Sequence, residues 1–342
     1  MTTAAALYEN LKSMLADTMP DAELRLKAEV AEEVLALKAE RGAVILAHNY
    51  MEPALYHSVP DHRGDSLELS RWAARSSAPV LVFCGVRFMA ETAKILNPAK
   101  RVLLPTARGG CSLAASITAA DVRKLRARFP HAPVVAYVNT SAEVKAEVDV
   151  CCSSSNAAEI IGNFSDPVVI FVPDEFLAEN VARETGRAVA GPEFSEARSR
   201  AERWLVAWHG RCEVHEKFTL DDIERVRAQF PDAVVLAHPE CRPEVVEAAD
   251  FSGSTSAMAL FVASCSARRY LLLTECTMGD NVAAASQGKE MLRLCSVRCP
   301  HMNEIRLEDV RDALRLDRYE VDVPASGASR AAAALERMLR AP

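Results

Sequence analysis

The chain is predicted to be an α/β protein made of three similar units, each with a short parallel sheet. Three observations predict it. Apolar, β-branched runs ending in polar residues recur at wide intervals: AVILAHNY at 43–50, PVVAYVNT at 133–140 and AVVLAHPE at 233–240. A continuous apolar run bounded by polar residues is the pattern of a strand buried on both faces. Each run is followed by a serine-bearing helix start, DSLELSRWAA from Asp65, SSSNAAEIIG from Ser153 and GSTSAMALFVA from Gly253, where short polar side chains cap the first turn. Each copy then carries a second apolar strand running into a helix: PVLVFCGVRFMAETA, PVVIFVPDEFLAENVA and RYLLLTECTMGDNVA.

The order is strand, helix, capped helix, strand, helix, three times over, a repeat that marks the architecture. Such alternation argues for parallel sheets covered on both faces. The division expected is an N-terminal helix at 1–26, α/β repeats at 27–116, 117–212 and 213–300, and a C-terminal helical segment at 301–342 packing on the body. Leu7, Leu11 and Leu15 give the first segment an apolar face. Functional groups of parallel sheets gather beyond the carboxyl ends of strands and at helix starts. Those places hold His48, Asn49 and Tyr50, Tyr137 and Asn139, and His238 and Glu240, with Ser66, Ser154, Ser254 and Thr255 at the helix starts. Three copies around one axis point these ends at a common centre, the expected active site.

Composition narrows the class. A length of 342 residues suits two or three small domains. Lys and Arg total 40 against 47 for Asp and Glu, a net charge of -7 that argues against a nucleic-acid partner. No apolar run is long enough to span a bilayer, and the first residues lack the basic start and apolar core of a secretory signal. A cytoplasmic protein with no membrane partner is expected.

Ten cysteines in a reducing compartment need another explanation than disulfides. Cys84, Cys265 and Cys276, in or beside apolar runs, are expected as small buried hydrophobes, as are Cys151, Cys152 and Cys241. One cysteine closes each copy: Cys111 in PTARGGCSL, Cys212 in AWHGRCEVH and Cys299 in SVRCPHM. Glycines ahead of the first two permit close backbone approach to a bulky ligand, and a proline follows the third, as beside some cluster-binding cysteines. Three thiolates meeting at one point suit a [4Fe–4S] cluster anchored at three irons with the fourth open. Zinc also takes thiolates, more often from cysteines paired at short spacing, and spacing alone leaves both open.

The strings AHNY, DSLELSRWA, GVRFMAETAKILNP, LPT followed by GGCSL, YVNTSAEVKA, SSSNAAEI, WHGRCEVHEKF, LAHPE, GSTSAM and CPHM, in that order across residues 30–315, resemble the quinolinate synthase family. The resemblance implies three similar three-layer αβα domains around a pseudo-three-fold axis, each giving one cysteine to a [4Fe–4S] cluster. By position those are Cys111, Cys212 and Cys299. It implies condensation of iminoaspartate (iminosuccinate) with dihydroxyacetone phosphate to quinolinate, with loss of phosphate and water, on the route to NAD. The open iron is then a Lewis acid, and L-aspartate oxidase is the expected supplier of the imine.

By the same resemblance, His48, Tyr50, His238 and Glu240 bind substrate or move protons. Tyr137 and Asn139 orient substrate as hydrogen-bond donors. Ser66, Ser154, Ser254 and Thr255 hold carboxylate or phosphate at helix starts, alongside ordinary capping. His215 either backs the cluster or faces the cavity; Lys217 is expected to be solvated, and Asp174 and Glu175 to be helix-start acids. The Arg- and Glu-rich stretch EFSEARSRAERW, between Gly186 and Trp208, reads as a surface insertion. Cys295, four residues before Cys299, is a candidate disulfide partner for it in a redox switch. Two rival classes remain at this stage, a hydro-lyase with a three-cysteine cluster and a cluster protein that senses iron or oxygen. The absence of a C-x₃-C-x₂-C triplet argues against a radical enzyme using adenosylmethionine.

Overall fold

The computed structural model describes residues 2–193, 203–294 and 297–341. Among them, every strand pairing in the sheets is parallel. The first sheet comprises β1 (Ala43–His48), β2 (His62–Gly64), β3 (Val80–Cys84) and β4 (Arg101–Leu103), in the order β2-β1-β3-β4. The second has β5 (Val134–Tyr137), β6 (Val150–Cys152), β7 (Val168–Val172), β8 (Ala188–Ala190) and β9 (Trp204–Ala207), in the order β6-β5-β7-β9-β8. The third has β10 (Val234–Ala237), β11 (Phe251–Ser252), β12 (Arg269–Leu273) and β13 (Glu290–Leu292), in the order β11-β10-β12-β13. The expected α/β class and its three-fold repetition are therefore present.

Two elements of the repeat go beyond the predicted order. A helix leads into each central strand: Asp21–Glu40, Ala119–Arg128 and Leu220–Gln229. The first runs unbroken across residues 26 and 27. A two- or three-residue edge strand (β2, β6, β11) also precedes each capped helix, too short to show an alternating pattern.

That edge strand is seated by one device used three times. Asp61 Oδ2 accepts from Ile45 N–H, Asp149 Oδ2 from Val134 N–H and Asp250 Oδ2 from Val235 N–H, each at 2.8 Å. In return the backbone N–H of each aspartate donates to the carbonyl of the same residue, at 2.8–2.9 Å. The buried strand N–H groups at the sheet's entry are thus satisfied by a carboxylate. Lys38, Arg126 and Arg227 pair with the three aspartates from the preceding helices.

The flanks pack on this body. The helix Ala4–Leu15 buries Leu7, Leu11 and Leu15. The helix Ala328–Arg340 buries Ala331, Ala334, Leu335 and Met338, and Asn156 Nδ2 donates to the Met338 carbonyl at 3.2 Å. Cys84, Cys151, Cys152 and Cys241 are fully buried as expected, but Cys265 and Cys276 are only half-buried, at the end and the start of surface helices. The expected surface insertion follows the extra strand β8; residues 194–202 of it lie outside the described residues, as does Cys295, so the proposed pairing with Cys299 does too. No described helix is long and apolar enough to cross a membrane.

Replacing Asp250 with Ala should strip the buried Val235 N–H of its acceptor and cost about 1–3 kcal/mol. Urea unfolding should show it as a lowered midpoint, with the Asp250→Asn variant losing less because its amide oxygen still accepts. An unchanged midpoint for the alanine variant would remove the carboxylate from the strand's support.

Candidate active site

The three sheets turn the carboxyl ends of their strands toward one cavity of about 640 Å³. The central strands β1, β5 and β10 deliver residues in matching register: His48, Tyr137 and His238 at the strand ends, then Tyr50, Asn139 and Glu240 two residues later. All six line the cavity, together with Ser66, Ser154, Thr255, Cys111, Cys212 and Cys299. Ser254 does not. Its hydroxyl caps the helix Thr255–Ser264 by accepting from Ala257 N–H at 3.3 Å, and it borders a neighbouring cleft that Ser154 also reaches.

Strand-end loops need a brace, and two asparagines supply it. From the helix Glu175–Thr185, Asn180 Nδ2 donates to the carbonyls of Pro239 (2.9 Å) and Cys241 (3.0 Å), either side of Glu240. From the helix Cys276–Ala285, Asn281 Nδ2 donates to the carbonyls of Asn49 (3.0 Å) and Met51 (2.9 Å), either side of Tyr50. Two of the three units thereby hold a strand-end loop of the next. At the remaining junction the matching residue is Thr92, whose hydroxyl turns back onto Phe88. There Glu91 Oε2 accepts from Ala142 N–H, and the buried Lys145 donates to the Thr140 carbonyl.

The histidines are set as neutral donors. Tyr50 N–H reaches His48 Nδ1 and Glu240 N–H reaches His238 Nδ1, both at 3.3 Å, so each neutral ring carries its proton on Nε2. Burial pushes His48 down to about 4 and His238 down to about 3.

Glu240 sits at the centre of the polar network. Asn139 Nδ2 donates to its Oε1 at 3.3 Å, and the Tyr137 hydroxyl bonds to the same carboxylate. His215 Nδ1 lies 2.6 Å from Oε2, with the ring geometry unsuited to a straight hydrogen bond. Burial works to raise this carboxyl, but His215 and the neighbouring donors outweigh it and hold Glu240 below the usual carboxylate range. On the far side of its ring, His215 Nε2 meets Thr274 Oγ1 at 3.0 Å, and the Tyr50 hydroxyl contacts Thr274 at 2.5 Å and His215 at 3.3 Å. Burial raises both Tyr50 and Tyr137 well above the ordinary phenol value, so their protons stay on oxygen.

The three cysteines occupy turns of one design. Ala115 N–H donates to the Cys111 carbonyl, Glu216 N–H to that of Cys212 and Asn303 N–H to that of Cys299, at 3.0–3.1 Å. Each sulfur receives the backbone N–H groups two and three residues ahead: Leu113 and Ala114, Val214 and His215, His301 and Met302. Each turn is tied to the helix behind it, through Arg87 N–H to Gly109 O, Glu175 N–H to Gly210 O and Cys276 N–H to Val297 O, at 2.7–3.0 Å. Gly210 has no room for a side chain, since a Cβ would stand 2.4 Å from the Pro173 carbonyl. Burial raises all three thiols, Cys111 to about 12 and Cys299 to about 11, while the N–H groups favour thiolate.

No lysine or arginine is among the described residues lining the cavity. The positive ends of helices are the groups there that suit an anion. The helices Ser66–Arg75 and Thr255–Ser264 open at its wall, offering N–H groups and the positive end of the dipole. In the first copy the cap is Asp65 rather than the serine, with a reciprocal box to Glu68, and its Oδ2 also accepts from Ser155 Oγ at 2.8 Å.

Sequence reasoning missed Asp65, Thr274 and the two bracing asparagines, which carry no motif of their own. His215 faces the cavity, Lys217 is exposed and Glu175 pairs with Arg211. Asp174 is fully buried; burial and the nearby Glu240 charge raise its carboxyl well above the ordinary range. One N–H of Asn139 is directed at Glu240, and its buried Oδ1 has no partner.

Comparison with known proteins places this geometry. The family described as Quinolinate synthetase A protein matches residues 32–340. Quinolinate synthase 2 of Mesorhizobium japonicum is 49% identical over 337 residues, 98% of each chain. Quinolinate synthase of Agrobacterium fabrum is 48% identical over 338 residues, 99% of this chain and 92% of the relative. That of Caulobacter vibrioides is 47% identical over 324 residues, 94% of this chain and 84% of the relative. On this match across nearly its whole length, the chain belongs to the quinolinate synthase family.

Proposed function

We propose that the chain condenses iminoaspartate with dihydroxyacetone phosphate to quinolinate, phosphate and two waters, with a [4Fe–4S] cluster held by Cys111, Cys212 and Cys299. One observation carries the reading: three cysteine turns of the same build, one per unit, face a single buried cavity with His48, His238 and Glu240. A protein that only senses iron or oxygen has no need of polar groups at all three strand ends.

The donor set fits the cluster. Soft thiolates cradled by N–H groups are suited to iron–sulfur ligation. When bound, the cluster supplies a Lewis-acidic iron with an open coordination position.

The chain's own side chains do the rest. The two substrates contain all the atoms of quinolinate, phosphate and two waters, so the site moves protons and expels leaving groups without an oxidant. Neutral His48 and His238 donate from Nε2 to substrate oxygens without adding charge. Ser66, Ser154 and Thr255, with the helix starts they accompany, hold the carboxylates and the phosphate. Asn139 Oδ1 accepts from a substrate N–H or O–H. Glu240 is ionised and takes protons, while Tyr50 and Tyr137 keep theirs for donation. A supplying oxidase such as L-aspartate oxidase completes this proposal.

Purified without oxygen, the protein should be brown, with about four irons per chain, and should form quinolinate from the two substrates. Colourless protein that makes none would overturn the proposal. Single Cys→Ser changes at 111, 212 or 299 should abolish iron retention, and Cys84→Ser should leave it intact. Glu240→Gln should keep the iron while lowering turnover by roughly 10²–10⁴-fold; wild-type rates would remove Glu240 from proton transfer.

Acid stability follows from the histidines. Both have folded values below their ordinary 6.5, so between those limits the unfolded chain binds protons that the folded chain does not. Their contribution is complete above about pH 6.5 and declines as pH falls toward about 4 and about 3. Urea midpoints measured across that window should fall with acid, and His238→Gln should flatten the slope.

A further inference from the structure

We propose that the cluster-free chain binds a single borderline-soft divalent cation, Zn²⁺ being the type, on Cys212, His215 and Glu240. The ligand atoms of these three residues lie within 4.8 Å of one another. His215 and Glu240 are each 2% exposed. His215 Nε2 meets Thr274 Oγ1, and its Nδ1 stands 2.6 Å from Glu240 Oε2 without an aligned hydrogen-bond partner. An ion seated between that nitrogen, the carboxylate oxygen and the Cys212 sulfur gives the buried, unpartnered Nδ1 a partner.

The surroundings are those of a built metal site. A ligating histidine is commonly oriented by a bond from its other nitrogen, the part Thr274 plays here, and a ligating carboxylate by donors on its second oxygen, the part of Asn139. Sulfur, imidazole and carboxylate together select zinc or a similar ion over Mg²⁺ or Ca²⁺, which take oxygen ligands. Three protein ligands at a cavity wall leave a fourth position open. Cys212 also serves the cluster in the function proposed above, so on that reading the two occupants exclude each other. Zinc on this site withholds one sulfur and the carboxylate at once, making it an inhibitor of cluster assembly.

The test uses the full chain, reduced and stripped of metal, titrated with Zn²⁺ against a colorimetric chelator. One ion per chain is expected. His215→Ala and Glu240→Gln should weaken binding by about 100-fold or more, and Thr274→Ala by about 10–100-fold. Cys111→Ser and Cys299→Ser should bind as the unaltered chain does. If those two variants lose zinc as Cys212→Ser does, the ion sits on three thiols and the proposal falls. Co²⁺ in the unaltered chain decides the matter independently of any folding defect: charge-transfer absorption of one thiolate supports the site, and that of three overturns it. Zinc-loaded chain should take up iron and sulfide only after chelation; uptake as fast as by metal-free chain would refute the exclusion. Failure of the cluster proposal is seen separately, as no uptake by the metal-free chain.

Discussion

The site rests on one kind of contact: an asparagine side chain that reaches from a helix of one unit to two carbonyls of the next. A loop leaving a buried strand end exposes carbonyl groups that no ladder satisfies, and leaving them unpaired is costly. Asn180 and Asn281 meet that demand on alternate residues, which fixes the loop on both sides of the residue it presents. The amide cannot turn over without setting oxygen against oxygen. Glu240 and Tyr50 therefore hold positions set by neighbouring units, and neither unit contains a complete site. At the third junction Thr92 is too short to make the same reach, and Glu91 and Lys145 anchor the loop by other means.

On this scaffold symmetry and chemistry have separated. The entry aspartates, the helix-to-turn bonds and the cysteine turns are alike in all three units, because they answer the same backbone requirement each time. The strand-end positions are not alike. One carries His48, Tyr137 and His238, the other Tyr50, Asn139 and Glu240. The three-fold framework gives equal access to one cavity, and unequal strand-end residues line it with imidazoles, phenols, an amide and the Glu240 carboxylate.

Much of this was legible in the sequence because it is written in local patterns. Buried central strands read as apolar runs, and their polar last residues do line one shared cavity. What escaped lacked a local signal. The edge strand Phe251–Ser252 is two residues long, below any periodicity. Ser254 and Ser66 looked equivalent, yet Ser254 is absorbed in capping its helix while Asp65 takes that task in the first copy and leaves Ser66 on the cavity wall. That one N–H of Asn139 meets Glu240 depends on a neighbour 101 residues away, which no local pattern announces. The bracing asparagines act on carbonyls, which have no residue identity to read. Cys265 and Cys276 border apolar runs but stand at helix ends, where the chain emerges to the surface.

Electrostatics explains why the cavity calls for metal. It gathers three sulfurs, an ionised carboxylate and the unpartnered Asn139 oxygen, with no lysine or arginine on its described walls. The substrates proposed above, bearing carboxylate and phosphate, add more negative charge. Helix starts offset part of this, but their partial charges fall off within a turn. On the proposed function, the positive charge that makes buried thiolates and bound anions compatible arrives with the metal. Cys212 lies where two ways of supplying it cross. Ligation with Cys111 and Cys299 leaves Glu240 free to take protons, whereas ligation with His215 and Glu240 consumes the base. The same polar crowding that lets the folded chain attract metal thus makes the identity of the metal decisive for whether the cavity is chemically competent.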